Sequence, residues 1–444
     1  MNTSRARWDT RDLVRRLCHA LVVARQVVDQ LAPDGYADSE QPSNNLRPEK
    51  AISETALLLL AAESAAGQHP EVRAHVERVA QRLIPYARSE RIKLALCMEP
   101  ALALDYAHAH ICLARLGYPD QDFDALLRQS VQSQAFTGRE RPPHRMLEQL
   151  WSTDLWSGLD VSRRRSTSAV ARLSQLNLPM DLLNGHREDI YAFTHALLYC
   201  SRFNLHPLRL PRPRRLILAE AKGALARCLD DQDYDLAGEL LLAWPLTGKS
   251  WSPAAAFGFR VLAQVEDAAG FLPAPITRLD RVHRLQGLER LNYLLATSYH
   301  TVYVMGLLCA AALLPGRAPP VDISTEGAVR GTASRILNRL DASCPDMHWR
   351  NELDKMDHLQ QDAIAGLLLD IAMHRAVRQR DFADLHTLLQ VGCASNLVDS
   401  PVASQVAEML GRVAACHRAR PVLSAGMEPV APACGKSAAS GSRH

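Results

Sequence analysis

The sequence predicts an all-α protein: paired antiparallel helices in an α/α toroid or superhelical array, followed by a disordered C-terminal tail. Three observations carry this. Ala and Leu dominate a chain whose aromatics reach only 5%, and strands favour β-branched and aromatic residues where helices do not. Apolar residues recur at three- and four-residue spacing over most of the 444 residues. Prolines and glycines fall between these periodic segments, where helices stop and start.

The periodic segments, in order, are Leu13–Leu31, Ala51–Ala65, Val72–Ile84, Ala101–Leu116 and Phe123–Val131. The pattern resumes at Met146–Trp156, Ser166–Leu176, Asp189–Phe203, Leu216–Leu229, Leu236–Trp244 and Ala254–Val265. Arg281–Leu295, Thr301–Leu314, Ala328–Leu340, Leu359–Val377, Phe382–Val391 and Ser404–Cys416 complete it. No alternating strand run interrupts the series. Helices come in pairs of about 40–50 residues, the period of a helical-hairpin array, without the consensus residues of the common repeats. Residues 1–417 are read as one helical array, with candidate breaks at Ser133–Pro143 and near Gly316–Ser324. Asp34–Pro48 reads as a loop. Residues 418–444, rich in Pro, Ala, Ser and Gly, read as a disordered tail.

Composition excludes little but orders the alternatives. A net charge of +3 is nearly neutral for this length and argues neither for nor against nucleic acid. The only lysines are Lys50, Lys93, Lys222, Lys249, Lys355 and Lys436 against a large excess of arginine, which is read as high-GC coding bias. The ten cysteines are scattered without any CxxC spacing, so no metal ribbon or redox motif is expected. The N-terminus is charged and lacks a signal-peptide profile. No uninterrupted apolar run reaches the roughly 18–20 residues that span a bilayer, the nearest being Val302–Leu314. A cytoplasmic protein with no membrane and no nucleic-acid partner is expected.

Four histidines lie inside apolar helical stretches: His110, His195, His300 and His374. A buried imidazole must find a partner, and several on different helices can line one cavity. Tyr191, His195 and Tyr199 share a helix face, with Glu188 two turns before His195. Thr297, His300 and Tyr303 make another face, and Asp370 and His374 are four apart. Asp105, His108 and Cys112 form a stripe from which His110 turns away. Such residues suit either a metal, bound by neutral imidazole with a carboxylate beside it, or acid–base chemistry. The plain alternative is a set of core histidines, each satisfied separately. No HExxH is present, so neither a cofactor nor a metal can be assigned from spacing.

The acidic cluster at Asp230, Asp231, Asp233 and Asp235 reads as a helix N-terminus complementing the helix dipole. It fails the EF-hand pattern, since Leu236 and Leu242 stand where Gly and Glu are needed. Glu239 is different. It sits inside the apolar helix GELLLAWP, where a carboxylate either faces out or has a task. Thr247-Gly248-Lys249-Ser250 mimics the end of a P-loop without the preceding strand. Trp151, Trp156, Trp244 and Trp251 read as core.

The segments at 188–204 (EDIYAFTHALLYCSRFN), 233–246 (DYDLAGELLLAWPL) and 298–314 (SYHTVYVMGLLCAAALL) resemble an uncharacterised actinobacterial family of helical proteins often found beside natural-product genes. Residues 103–127 fit the same likeness, which covers most of 10–415. More weakly, these stretches resemble the α/α toroids of terpene and lanthionine cyclases. That likeness implies a fold, not a reaction. The aspartate motifs of terpene cyclases are not met, because Tyr234 stands at the fifth position of a DDxxD counted from Asp230. The Cys and His zinc ligands of lanthionine cyclases are not met either.

Two functions follow. One is an enzyme of bacterial secondary metabolism acting on a small apolar substrate in a central cavity, with His195, His300 and Glu239 as acid–base groups or ligands and Glu188, Tyr191 and Tyr303 in support. The other is a non-catalytic scaffold that binds a peptide, a carrier or an enzyme partner. Convergence of His195, His300 and Glu239 on one cavity favours the first. Dispersed, separately satisfied histidines beside an exposed apolar groove favour the second. A DNA-binding regulator ranks below both, for want of a basic recognition helix.

Overall fold

The computed structural model describes residues 9–31, 48–157, 161–201, 210–340 and 347–424. The stretch read as a loop at Asp34–Pro48 lies outside these residues except for Pro48, and so does the tail beyond 424. Among the described residues every regular element is a helix and none is a strand. The first half comprises α1 (Thr10–Asp29), α2 (Pro48–Ala66), α3 (Pro70–Ala87), α4 (Glu90–Met98), α5 (Ala103–Arg115), α6 (Gln121–Val131), α7 (Pro143–Ser157), α8 (Val161–Leu173) and α9 (Arg187–Ser201). The middle comprises α10 (Arg214–Asp230), α11 (Tyr234–Leu241), α12 (Ala243–Thr247), α13 (Pro253–Ala269), α14 (Leu279–Arg284) and α15 (Gly287–Ala312). The last part comprises α16 (Thr332–Leu337), α17 (His348–Leu353), α18 (His358–Ala363), α19 (Ala365–Gln379), α20 (Phe382–Ala394) and α21 (Pro401–Ser424).

Local chemistry explains the starts. Asp9, Ser89, Asp120, Ser252 and Asp381 each accept from a backbone N–H of the first turn of α1, α4, α6, α13 and α20, respectively. Those donors otherwise have no partner inside the helix. Asp357 and Gln360 complete a reciprocal cap on α18. Gly270 ends α13 at φ 81°, a left-handed value that glycine adopts without strain.

Several expectations need correction. The segments Arg281–Leu295 and Thr301–Leu314 are not two helices. Apart from the short α14, they merge into α15, 26 residues long. The polar stretch Thr297-Ser298-Tyr299-His300 looks like a break, but those side chains find partners inside the protein and the helix continues. The segment Leu236–Trp244 divides into α11 and α12, and Leu359–Val377 divides at Ile364 into α18 and α19. α4 carries only two buried apolar residues, Ile92 and Leu96, too few for a readable period. α21 continues to Ser424, past the expected start of the tail at 418.

α15 organises the core. It packs against α1, α2 and α11, while α2 also meets α3 and α5. Gly306 marks its closest approach to α1 and α2, because a Cβ there would stand 2.6 Å from Ala20 Cβ and 2.9 Å from Leu58 Cδ1. By length and composition α15 is apolar enough to cross a membrane, but 78% of its most apolar stretch is buried inside the protein. That is the burial of a core helix. A second packing centre joins α10, α11 and α19, with α19 flanked by α16, α20 and α21. On the other side α7 bridges α5 and α9. The polar segment 133–143 is anchored by Arg141, which pairs with Asp105 at 2.5 Å and donates to the Ala101 carbonyl at 2.7 Å.

A histidine and carboxylate cavity

α15 and the helices packed around it line a cavity of about 820 Å³. α2 supplies Lys50 and Glu54, α9 supplies Tyr191, His195 and Tyr199, α11 supplies Glu239, and α15 supplies His300 and Tyr303. Arg145 and Glu148 of α7 form a further wall, and Leu57, Leu198, Leu242, Val304 and Leu307 make the lining apolar between the polar groups. Cavities of this size hold small molecules in many proteins.

The structure brings His195, His300 and Glu239 together, with Tyr191 and Tyr303 beside them. His195 Nε2 is 3.6 Å from Glu239 Oε1, and His300 Nε2 is 3.8 Å from the same oxygen. The His195 ring lies on Tyr191, centroids 3.8 Å apart, with Tyr199 at its edge. Tyr303 shares a 2.8 Å hydrogen bond with Thr55. Glu188 stands apart, exposed in the first turn of α9 and outside the lining. His110 and His374 are elsewhere. His110 is held between Arg88 and Asp124 and stacks on Phe123, while His374 pairs with the Gly223 carbonyl at 3.2 Å. His108, on the stripe from which His110 turns away, takes the cavity position on α5.

Two carboxylates at the site were not singled out by their spacing. Glu54 Oε2 stands 3.1 Å from His300 Nδ1 and accepts from Tyr299 at 2.6 Å. Asp235 Oδ1 stands 3.4 Å from His300 Nε2. Glu54 carried the same signal as Glu239, a carboxylate within an apolar helical run. Asp235 was masked by its acidic neighbours, whose roles are structural. Asp233 caps α11 and pairs with Arg187 at 2.8 Å, and Asp230 is clasped by Arg375 and Arg378. The ligand atoms of Asp235, Glu239 and His300 all lie within 4.8 Å of one another, so these three could hold a metal ion.

The electrostatics follow from this crowding. Burial alone would lower the pKa of His300, but Glu54, Asp235 and Glu239 outweigh it and hold the imidazole well above its ordinary value. The 26% of its side chain that stays accessible belongs to a residue lining the cavity. Burial would raise Glu54, yet His300, Lys50 and Tyr299 hold it down at about 2. Glu239 is held low by His195 and His300 against the same burial. Asp235 is pushed up by burial and by Glu239, and is the more easily protonated of the two.

Backbone packing sets the spacing. Gly238 lies between Asp235 and Glu239 on α11, and a Cβ there would stand 2.6 Å from Val304 Cγ1 of α15. The absent side chain lets α11 approach α15, which brings both carboxylates to His300. Gly238→Ala is expected to cost about 1–3 kcal/mol by overpacking, read as a lower midpoint in urea denaturation. An unchanged midpoint would show that the two helices accommodate the methyl freely.

These features define an all-helical protein with a buried histidine–carboxylate cluster opening on a small-molecule-sized cavity. The chain belongs to the family of the domain of unknown function DUF6895, whose model matches residues 18–310. Glu54, His195, Asp235, Glu239 and His300 all fall within that span. No curated protein and no solved structure matches the chain.

Proposed function

We propose that this chain is an enzyme acting on a small molecule in the cavity, with His195 as the proton-transfer group, Glu239 as its partner and His300 as the opposing polar anchor. The observation that carries this reading is the convergence of these three residues, from α9, α11 and α15, on one cavity. The position of His195 supports it. Its Nδ1 is buried without a hydrogen-bond partner among the described residues. A buried N–H left unmade costs more than a lone pair, so the proton belongs on Nε2, toward Glu239. That places the exchangeable proton beside the cavity, where general acid–base catalysis needs it.

The lining favours a substrate with an apolar body and a polar head. The apolar part would lie along Leu57, Leu198 and Val304, and the head would face Glu239 and His300. A toroidal arrangement of the helices, a cytoplasmic location and a place in bacterial secondary metabolism are parts of the same proposal, and they rest on the sequence pattern and resemblance.

A thermal-shift screen of small amphiphilic molecules tests it. Compounds that stabilise the wild type are expected to lose at least tenfold in affinity in His195→Ala and in the cavity-filling Leu198→Trp. Hits that bind both variants as well as the wild type would remove the cavity from the function.

A further inference from the structure

We infer that Asp235 Oδ1, Glu239 Oε1 and His300 Nε2 are the ligands of a divalent cation of the manganese or ferrous class. This deepens the enzyme reading of the cavity and rests on it. Ligand atoms about 2.1 Å from a shared cation stand about 3.0 Å apart at right angles and about 3.4 Å apart at tetrahedral angles. The separations from His300 Nε2, 3.4 Å to Asp235 and 3.8 Å to Glu239, are close to these values. They exceed the roughly 2.7–2.9 Å of a charge-assisted hydrogen bond, to which the three groups would close if they served only one another.

The far atom of each ligand is held by another part of the protein. Arg187 donates to Asp235 Oδ2 at 2.6 Å. Thr194 donates to Glu239 Oε2. Glu54 lies against His300 Nδ1, and Tyr299 and Lys50 hold Glu54 in turn. In each case the inner atom faces the common centre, where Thr301 also reaches Asp235 Oδ1 at 3.5 Å, and the cation would displace the proton of His300 Nε2. A carboxylate behind a histidine, fixing which nitrogen points at the ion, is the outer shell that metal-binding imidazoles use.

Glu239 supplies a separate observation. Only 8% of its side chain is accessible, and Oε1 faces His195 and His300 at longer than ordinary hydrogen-bond distance. The two histidine nitrogens stand 3.6 and 3.8 Å from it. A carboxylate oxygen held this deep at these distances leaves room for a cation between it and the imidazole of His300.

The donor set decides the class of ion. Two carboxylate oxygens and one imidazole, with no thiolate, suit manganese or ferrous ion better than zinc in a thiolate site or calcium in an all-oxygen cage. Three protein ligands leave positions open to a substrate's polar head. His195, beside Glu239, is then free for proton transfer rather than ligation.

The test is calorimetric titration of the full, chelator-stripped chain with manganese(II), with free ion followed in parallel by its electron paramagnetic resonance signal. One ion per chain is expected. Asp235→Asn and His300→Ala are expected to lose most of this binding, and Glu54→Gln to weaken it by about 10–100-fold. Circular dichroism checks that each variant is folded. His195→Ala is expected to keep the ion while losing small-molecule binding, which separates the two readings. Absence of ion binding in the wild type, or equal binding in a folded Asp235→Asn, would overturn the site even if the small-molecule result held.

Discussion

Arg16→Ala is expected to destabilise the protein by about 3–5 kcal/mol, the cost of removing one partner from a buried ion pair. Arg16 is 1% exposed on α1, and its guanidinium is shared among Asp12 at 2.9 Å, Asp267 at 2.8 Å, the Ala263 carbonyl at 3.3 Å and Glu266. Asp12 and Asp267 retain access to water and can be solvated when the arginine goes. Glu266, 4% exposed, cannot. His19, 3.1 Å from its other oxygen, then becomes its nearest side-chain partner. The double replacement Arg16→Met with Glu266→Leu is expected to recover most of the loss, since apolar residues of similar volume can substitute for a buried pair. Urea denaturation of the single and double variants measures both. A double variant no better than Arg16→Ala would place the loss in packing rather than in the stranded carboxylate.

Acidification is expected to destabilise the fold steeply between about pH 6.5 and 4, from a specific set of histidines. Burial holds His374 neutral, with its pKa pushed down to about 4. Burial also lowers His108 and His110, and His144 falls to about 4 through burial with Arg145 and His195 nearby. In the unfolded chain these rings take up protons near pH 6.5. Within this window the unfolded state therefore binds more protons, and stability falls as the pH falls. Each fully buried ring adds a slope of up to about 1.4 kcal/mol per pH unit. His300 has the opposite sign. Its pKa is raised, so the stability it contributes is complete below about pH 6.5 and is lost as the pH rises. It therefore adds nothing to the acid limb. Comparing stability from pH 7 to 4.5 in wild type and His374→Leu isolates one ring. The variant should show the shallower slope, whatever its absolute stability. Parallel slopes would contradict the assignment.

The helices were legible wherever an apolar face repeated over several turns, as in α1, α5, α13 and α19. They were not legible where too few apolar residues repeat, as in α4, or where polar side chains find partners inside the protein, as in the middle of α15. The site was legible to the extent that a polar side chain inside an apolar helix signals something unusual. That reasoning singled out His195, His300 and Glu239, and it extends equally to Glu54 within Ala51–Ala65. It failed for Asp235, because an aspartate among four has no local feature to distinguish it from the cap at Asp233. It also treated His110 and His374 as equals of His195 and His300. Which histidines meet depends on how α5, α9, α15 and α19 are oriented around one another, and that is a property of tertiary packing.

The partnership of α1 with α15 also bears on how the chain is made. Arg16 and Glu266 are 250 residues apart, so at about 5–20 residues per second of synthesis the first helix waits roughly 12–50 s for its counterion and longer for α15. Throughout that time Leu13, Leu17, Leu21 and Val28, all buried in the finished protein, have no final resting place. Non-local closure of this kind slows folding and leaves an apolar helix on the ribosome that must be sheltered by α3 or by a chaperone. The cavity is therefore completed only when the last turns of α15 have left the exit tunnel, so a nascent chain stalled before that point carries most of the site's residues without the site.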